Sequence, residues 1–396
     1  MNAKALRVAV VGGGIGGMAA AIAMRAQGID VTVYEQAAEL GEIGAGVLVT
    51  PNGARALDTL GLGPALAKVG GTVSDGSTYY RMDGARIAPI QTTDSEGWNG
   101  VYGMHRADLL SILADALPAS IVRTSHRCVG FEQDQRAARL TFQWGEVVEA
   151  DAVIAADGIH SVLRQQVTEP SPPVHSGSVA YRGLLPAASI PEWPTTISQL
   201  WMGQGKHFLV YPVRAGELIN YVGFVPSEEQ TRESWSAPGD PDALRAAFTG
   251  WDPRVEYLLA AVEECFWWGL YDREPLTRWT RGRLTLLGDA AHPMLPHLGQ
   301  GANQAIEDGV ALSVMLAGAD HDSIPQALQA YEDLRRPRTR EVQVGARANG
   351  LRYDSAYDDL DQRDAEIAAS VSFRLWLYDH DSVAAAWSAR EGGASV

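Results

Sequence analysis

The element Gly12-Gly13-Gly14-Ile15-Gly16-Gly17 is a G-x-G-x-x-G that follows the apolar run LRVAVV and opens an alanine-rich stretch reaching Gln27. A second apolar run, VTVYE, ends on Glu35. This spacing predicts a strand–turn–helix–strand unit in which each glycine has a task. Gly12 permits the tight turn, Gly14 lets the backbone approach a pyrophosphate, and Gly17 allows the helix to pack closely on the strand. The helix that begins at Ile15 then presents its N-terminus to the phosphate charge. Glu35 can accept hydrogen bonds from the ribose hydroxyls of an adenosine. The chemistry is that of dinucleotide binding.

The glycine element does not by itself separate a flavin from a nicotinamide dinucleotide. The segment RLTLLGDAAHP supplies the discrimination: a buried strand ends in Gly288-Asp289, placing a carboxylate where it can accept from a polyol such as ribitol. In the following PHLGQGANQAIEDG, Gly299, Gly301 and Ala302 lead into a helix whose N-terminus would face the electron-rich edge of a reduced flavin. A third buried strand, DAVIAADG, ends on Asp157-Gly158 and leads to Ser161 and Arg164.

The order GxGxxG, DG, GD resembles the FAD-dependent aromatic hydroxylases of the para-hydroxybenzoate hydroxylase type, over about residues 6–350. Similarity is closer to the branch holding salicylate hydroxylase and 3-hydroxybenzoate 6-hydroxylase, through Gly44-Ala45-Gly46 with Pro51-Asn52-Gly53, His105-Arg106-Ala107-Asp108-Leu109, and Tyr181-Arg182-Gly183. The resemblance implies that Arg106 contacts FAD, that Asp157 serves both FAD and the pyridine nucleotide, and that Pro293 sits over the flavin near the reacting oxygen. These hydroxylases have no separate nicotinamide Rossmann domain, and no second complete G-x-G-x-x-G occurs here. The resemblance also implies bound FAD, NADH or NADPH as reductant, O₂ as co-substrate, and oxygen insertion through a flavin hydroperoxide. Where hydroxynicotinate hydroxylases carry a histidine after the GAG element, this chain reads Gly46-Val47-Leu48-Val49, which favours a benzene ring.

Substrate contact is expected on HFLVY. On a strand, residues four apart share a face, so His207 and Tyr211 project together. The resemblance assigns both to substrate, and Gln300 with Pro293 beside them. A phenolate is a better electron donor than a phenol, so a general base is expected; His207 is the candidate, with Tyr211 orienting the ring hydroxyl. His292 and His297 flank the flavin segment without metal-ligand spacing, so no metal is expected. Cys128 and Trp267-Trp268 are read as core.

These residues need a scaffold of class α/β with an α+β insertion. The expectation is a Rossmann-type FAD-binding domain over 1–71, 97–174 and 276–349. An interleaved, mainly antiparallel β substrate domain covers 72–96 and 175–275, and a C-terminal helical tail covers 350–396. Helices are expected at 301–316 and 324–349, interrupted by little except Pro325 and Pro337, and a surface loop at 227–241. The formal net charge of −16 is spread along the 396 residues, which argues against nucleic acid or an anionic membrane as partner. Two cysteines, no signal-peptide pattern and no long apolar stretch point to a cytoplasmic protein. A homodimer is kept as an assembly state.

The expected activity is hydroxylation of a small phenolic acid of the salicylate or hydroxybenzoate type. The alternatives are a hydroxypyridine acid such as 6-hydroxynicotinate, a FAD oxidase or dehydrogenase without oxygen insertion, and a non-catalytic flavin protein whose tail residues Trp376, Tyr378 and Trp387 form an interface.

Overall fold

The computed structural model describes residues 5–41, 46–169, 171–203, 205–227, 237–354 and 359–393. Its first sheet explains why three sequence motifs act together. Arg7–Val11 lies at the centre, parallel to Asp30–Tyr34 on one side and to Ala152–Ala155 on the other; Ala152–Ala155 is parallel in turn to Leu284–Leu286. Val122–Arg123 and Thr280–Arg281 complete the six strands at the edges. Such near-continuous apolar runs suit strands covered on both faces. The glycine loop, the Asp157-Gly158 turn and the Gly288-Asp289 turn therefore leave the carboxyl ends of three adjacent parallel strands, where ligands bind in open α/β sheets.

Two helices back this edge. Ile15–Ala26 runs against Gly301–Leu316 at a distance set by small residues: a Cβ on Gly309 would lie 2.7 Å from the Ala20 nitrogen, and one on Gly16 2.9 Å from the Ala305 Cβ. The seam closes only because alanine and glycine face each other across it.

The second sheet has eight strands, drawn from 78–89 and 174–272, and is antiparallel except where Thr78–Arg81 meets Gln199–Gly203. Side-chain alternation divides its two faces. Trp201, Phe208, Val210 and Tyr221 pack with Leu244, Phe248 and Val255 into a core of their own. His207, Leu209 and Phe224 turn the other way, toward residues 296–298 and the helix Ile324–Asp354.

Three departures from expectation have physical causes. The long helix continues to Asp354, five residues beyond Asn349, and passes through Pro337 without ending. Its buried stripe, including Tyr331, Val342, Ala346 and Tyr353, packs along the whole length and outweighs the missing backbone donor. Of the expected loop at 227–241, residues 228–236 lie outside the described part. Ala237–Gly239 forms an edge strand, and Asp240 caps the helix Pro241–Ala247. The C-terminal segment is not a peripheral tail: Val371–Tyr378 buries Arg374, Leu377 and Tyr378, which corrects the reading of Tyr378 as an interface residue. No helix among the described residues is long and apolar enough to cross a membrane.

Candidate active site

The glycine loop has the shape of a cradle. Gly12 takes φ +111°, and a Cβ there would lie 2.2 Å from the Ala156 carbonyl oxygen. A Cβ on Gly17 would lie 2.0 Å from the Gly12 carbonyl oxygen, so helix and turn touch through backbone. Gly14 is the opposite case: a Cβ on it meets nothing within 4 Å. The helix starting at buried Ile15 has no side-chain cap, so its first amides face that open side. Open space, a bare helix N-terminus and a backbone-only turn fit a pyrophosphate. Glu35 stands at the loop's edge, its carboxylate accepting from the Gly13 amide at 2.7 Å and the Ala37 amide at 2.8 Å.

Asp157 and Asp289 complete the rim by different means. Asp157 accepts from the Val162 amide at 2.9 Å and the Leu163 amide at 3.3 Å, and burial raises its carboxyl above the usual range. Asp289 is exposed in a 3₁₀ turn, and Gly301 lies beside it, a Cβ there coming 3.9 Å from the Asp289 Oδ1. The two turns are clipped together by Arg164. Its buried guanidinium donates to the Asp289 and Ala290 carbonyls at 2.7 Å each, and to the Ile159 carbonyl at 2.8 Å. Arg164 stood in the sequence motif without a role; only the fold shows that it spans two loops.

Half-buried Arg106 lies in the field of Asp289, which opposes the downward pull of burial on its guanidinium. Arg182 is pushed down to about 10, by burial first and by Arg106 second, and stacks over Trp268 at 4.6 Å. The helix Gly301–Leu316 also begins without a side-chain cap, next to Gly299 at φ +64° and half-buried Gly301 and Ala302. A second bare helix N-terminus thus begins two residues after pocket-lining Gly299.

Behind these loops lies a fully buried ion network that the sequence reading did not foresee. Glu307 and Asp308 receive Arg335 at 2.7 and 2.8 Å, and Arg338 adds a bond to Glu307 at 2.9 Å. Asp308 accepts from the Gly288 amide and meets His292 Nε2 at 2.6 Å, which fixes the GD turn from behind. Two acids side by side in the apolar run AIEDGVALSVML are the sequence signal for it. Gln300 is 0 % exposed; its amide oxygen accepts from Asn52 at 3.0 Å and Gln304 at 3.1 Å, and its nitrogen donates to Thr50 at 2.9 Å. These bonds brace the start of the helix. Buried Pro293 lends its carbonyl to Gln343 at 2.9 Å, and Pro296 stands in the pocket wall.

The pocket lies between the second sheet, residues 296–299 and the C-terminal helices, with Leu48, Leu200, Leu209 and Phe224 among its apolar walls. His207 is 1 % exposed, lies over Phe224 at 4.0 Å, and meets Asp354 through Nδ1 at 2.6 Å. The carboxylate of Asp354 holds the ring through Nδ1. His297, 5.1 Å away ring to ring, is held well below the ordinary imidazole range by burial first and His207 second, and so is neutral. Tyr211 shares the strand face of His207 but sits further along, near Gly46: a Cβ on Gly46 would lie 2.7 Å from its hydroxyl. Burial raises its phenol well above the ordinary value, and Arg182 opposes that rise. Gly44 and Ala45 lie outside the described residues. Gly299, just before the helix Gly301–Leu316, also lines the pocket. Two parts of the wall were missed: Tyr353 at the end of the long helix, and Arg374 with Tyr378 in the tail.

Comparison with known proteins agrees with this geometry. The family model described as FAD binding domain matches residues 5–345. The chain is 38 % identical over 385 residues to a 3-amino-4-hydroxybenzoate 2-monooxygenase of Streptomyces platensis, covering 95 % of this chain and 96 % of that one. It is 34 % identical to a salicylate hydroxylase of Pseudomonas putida, covering 96 % and 94 %. A solved salicylate hydroxylase substrate complex superposes with a TM-score of 0.86 at 29 % identity, over 97 % of this chain and 98 % of that one. The cradle, the rim carboxylates and the matched residues agree: the chain belongs to the FAD binding domain family and stands within it among the FAD-dependent aromatic hydroxylases.

Proposed function

We propose that this enzyme hydroxylates a small phenolic aromatic acid in the pocket beside His207, with NADH or NADPH and O₂ as co-substrates. The observation that carries the reading is the Asp354–His207 pair on the wall of an apolar pocket that reaches Gly299 of the cofactor loop. FAD, when bound, supplies the redox chemistry: it is reduced by the nicotinamide and activates oxygen. Glycines 12, 14 and 17, Glu35, Arg106, Asp157, Asp289, Gly299, Gly301 and Ala302 would hold it.

The protein's own contribution is binding, proton handling and exclusion of water. His207 Nε2 accepts the phenol proton, and the imidazolium that forms is stabilised by Asp354 at 2.6 Å. The ring carbon to be hydroxylated is thereby made electron-rich. Tyr211 acts from the cofactor end of the same strand, and Leu200, Leu209 and Phe224 keep the site dry. The names of the relatives set the substrate class: 3-amino-4-hydroxybenzoate, salicylate and 3-hydroxybenzoate. A cytoplasmic setting and a homodimer belong to the same proposal, supported by the two free, buried cysteines and by exposed Trp376 and Trp387 on the C-terminal helices.

The test is a panel of these three acids and 6-hydroxynicotinate, scored for acid-stimulated NADH oxidation and for product mass. An increase of one oxygen atom, with or without loss of carbon dioxide, is the expected result. Stimulation by none of the acids would overturn the reading.

A further inference from the structure

The C-terminal helix Val371–Tyr378 places a guanidinium in the pocket wall. Arg374 is 9 % exposed and lines the same pocket as His207. Its contacts are phenolic: one terminal nitrogen donates to the Tyr353 hydroxyl at 3.0 Å, and the Tyr79 ring lies 5.9 Å from its Cζ. Among the described residues no carboxylate reaches it within ion-pair distance, and its Nε has no hydrogen-bond partner. The contrast within this protein is sharp. Arg335 and Arg338, equally buried, are neutralised by Glu307 and Asp308. Among the described residues lining the pocket, Arg374 is the only permanent cation; the others with ionisable rings are His207, His297 and tyrosines. A buried cation facing neutral phenols, with an unused donor, is a site prepared for an anion. A guanidinium matches a carboxylate in particular, because two of its N–H groups can meet both oxygens.

We propose that Arg374 is the specificity-determining residue that binds the carboxylate of the aromatic substrate, an inference that rests on the proposed function above. Tyr353 ties this end of the pocket to the other. Its hydroxyl accepts from Arg374, and its ring lies 5.2 Å from that of His207. One side of the pocket thus offers a cation for the acid group and a base for the phenol. The C-terminal segment is on this account part of the substrate site.

The experiment compares an acid with its uncharged amide. Purified FAD-loaded wild type, Arg374→Gln and Arg374→Lys are titrated with salicylate and salicylamide, and with 3-amino-4-hydroxybenzoate and its carboxamide. Binding is read from the flavin spectrum and from the shift in melting temperature, and turnover is measured beside it. Wild type is expected to prefer the acid. Arg374→Gln should lose about 30-fold or more in affinity for the acid, as expected when one partner of a buried charge pair is removed. Its affinity for the amide should stay within about threefold. Arg374→Lys, which keeps the charge and guards against a folding defect, should retain part of the acid preference. Equal loss of acid and amide in both variants, or an unchanged acid preference in Arg374→Gln, overturns the assignment while leaving the hydroxylase reading intact. A wild type that binds and hydroxylates none of the acids overturns both.

Discussion

At the scale of single residues, the account turns on His207, and its environment gives the side chain a direction. Nδ1 is occupied by Asp354 and the ring lies against Phe224, so Nε2 is the nitrogen that the proposal assigns to the phenol. Replacing His207 by Ala should leave FAD bound and NADH oxidation running, while product formation falls by roughly 10²–10⁴-fold and the shortfall ends as H₂O₂. Product per NADH consumed is the measurement, with Tyr211→Phe alongside. Coupling at the wild-type level in both variants would remove the pair from the active site. Much of this was legible in sequence, because period-two alternation alone puts His207 and Tyr211 on one face. Their partners were not. Asp354 and Tyr353 lie some 150 residues away at the end of a helix, and no local pattern joins a helix terminus to a strand. The partners of Gln300 were hidden for a related reason: no local pattern brings Asn52 and Thr50 to its amide.

At the scale of elements, the strand ends and helix starts do the positioning, and the glycines separate two roles that sequence merges. Gly17→Ala would set a methyl 2.0 Å from the Gly12 carbonyl oxygen, so this variant should fold poorly and lose flavin. Gly14→Ala places a methyl in open space and should fold normally, whereas Gly14→Val should fold but retain less FAD, because its bulk enters the pyrophosphate position. Flavin-to-protein absorbance ratios beside circular dichroism distinguish the cases; full FAD occupancy in Gly14→Val would contradict the cradle. The three motif strands were legible as buried apolar runs. Their adjacency in the sheet was not, since Leu284–Leu286 neighbours Ala152–Ala155 across more than a hundred residues of inserted chain. Arg164 and the Glu307–Asp308–Arg335 network, which bind these elements together, likewise have meaning only once the loops are side by side.

At the scale of the whole molecule, burial of titratable groups should make stability depend on pH in a predictable direction. His380 is brought from the ordinary 6.5 to about 4, by burial first, against the attraction of Glu307 and with the help of Arg338 and Arg335. His297 is lowered in the same sense. Between those values the unfolded chain binds protons that the folded chain excludes. Stability is therefore full above about pH 6.5 and is lost as pH falls toward 4. Glu307 and Asp308, held below the usual carboxylate range among the arginines, extend the loss to lower pH. Melting temperature across pH 4–8 should show this fall, and His380→Gln should flatten it; an unchanged slope in the variant would assign the effect elsewhere. The same packing that buries these groups brings the C-terminal helices onto the pocket, with Tyr353, Arg374 and Tyr378 in its wall. Oxygen insertion into an aromatic acid is the activity proposed for this enzyme, and labelled oxygen tests it most directly. Turnover under ¹⁸O₂ with NADH and the best acid of the panel should give a product carrying one ¹⁸O atom. NADH oxidation that yields only H₂O₂ and an unlabelled acid, with every acid that stimulates it, would contradict the account.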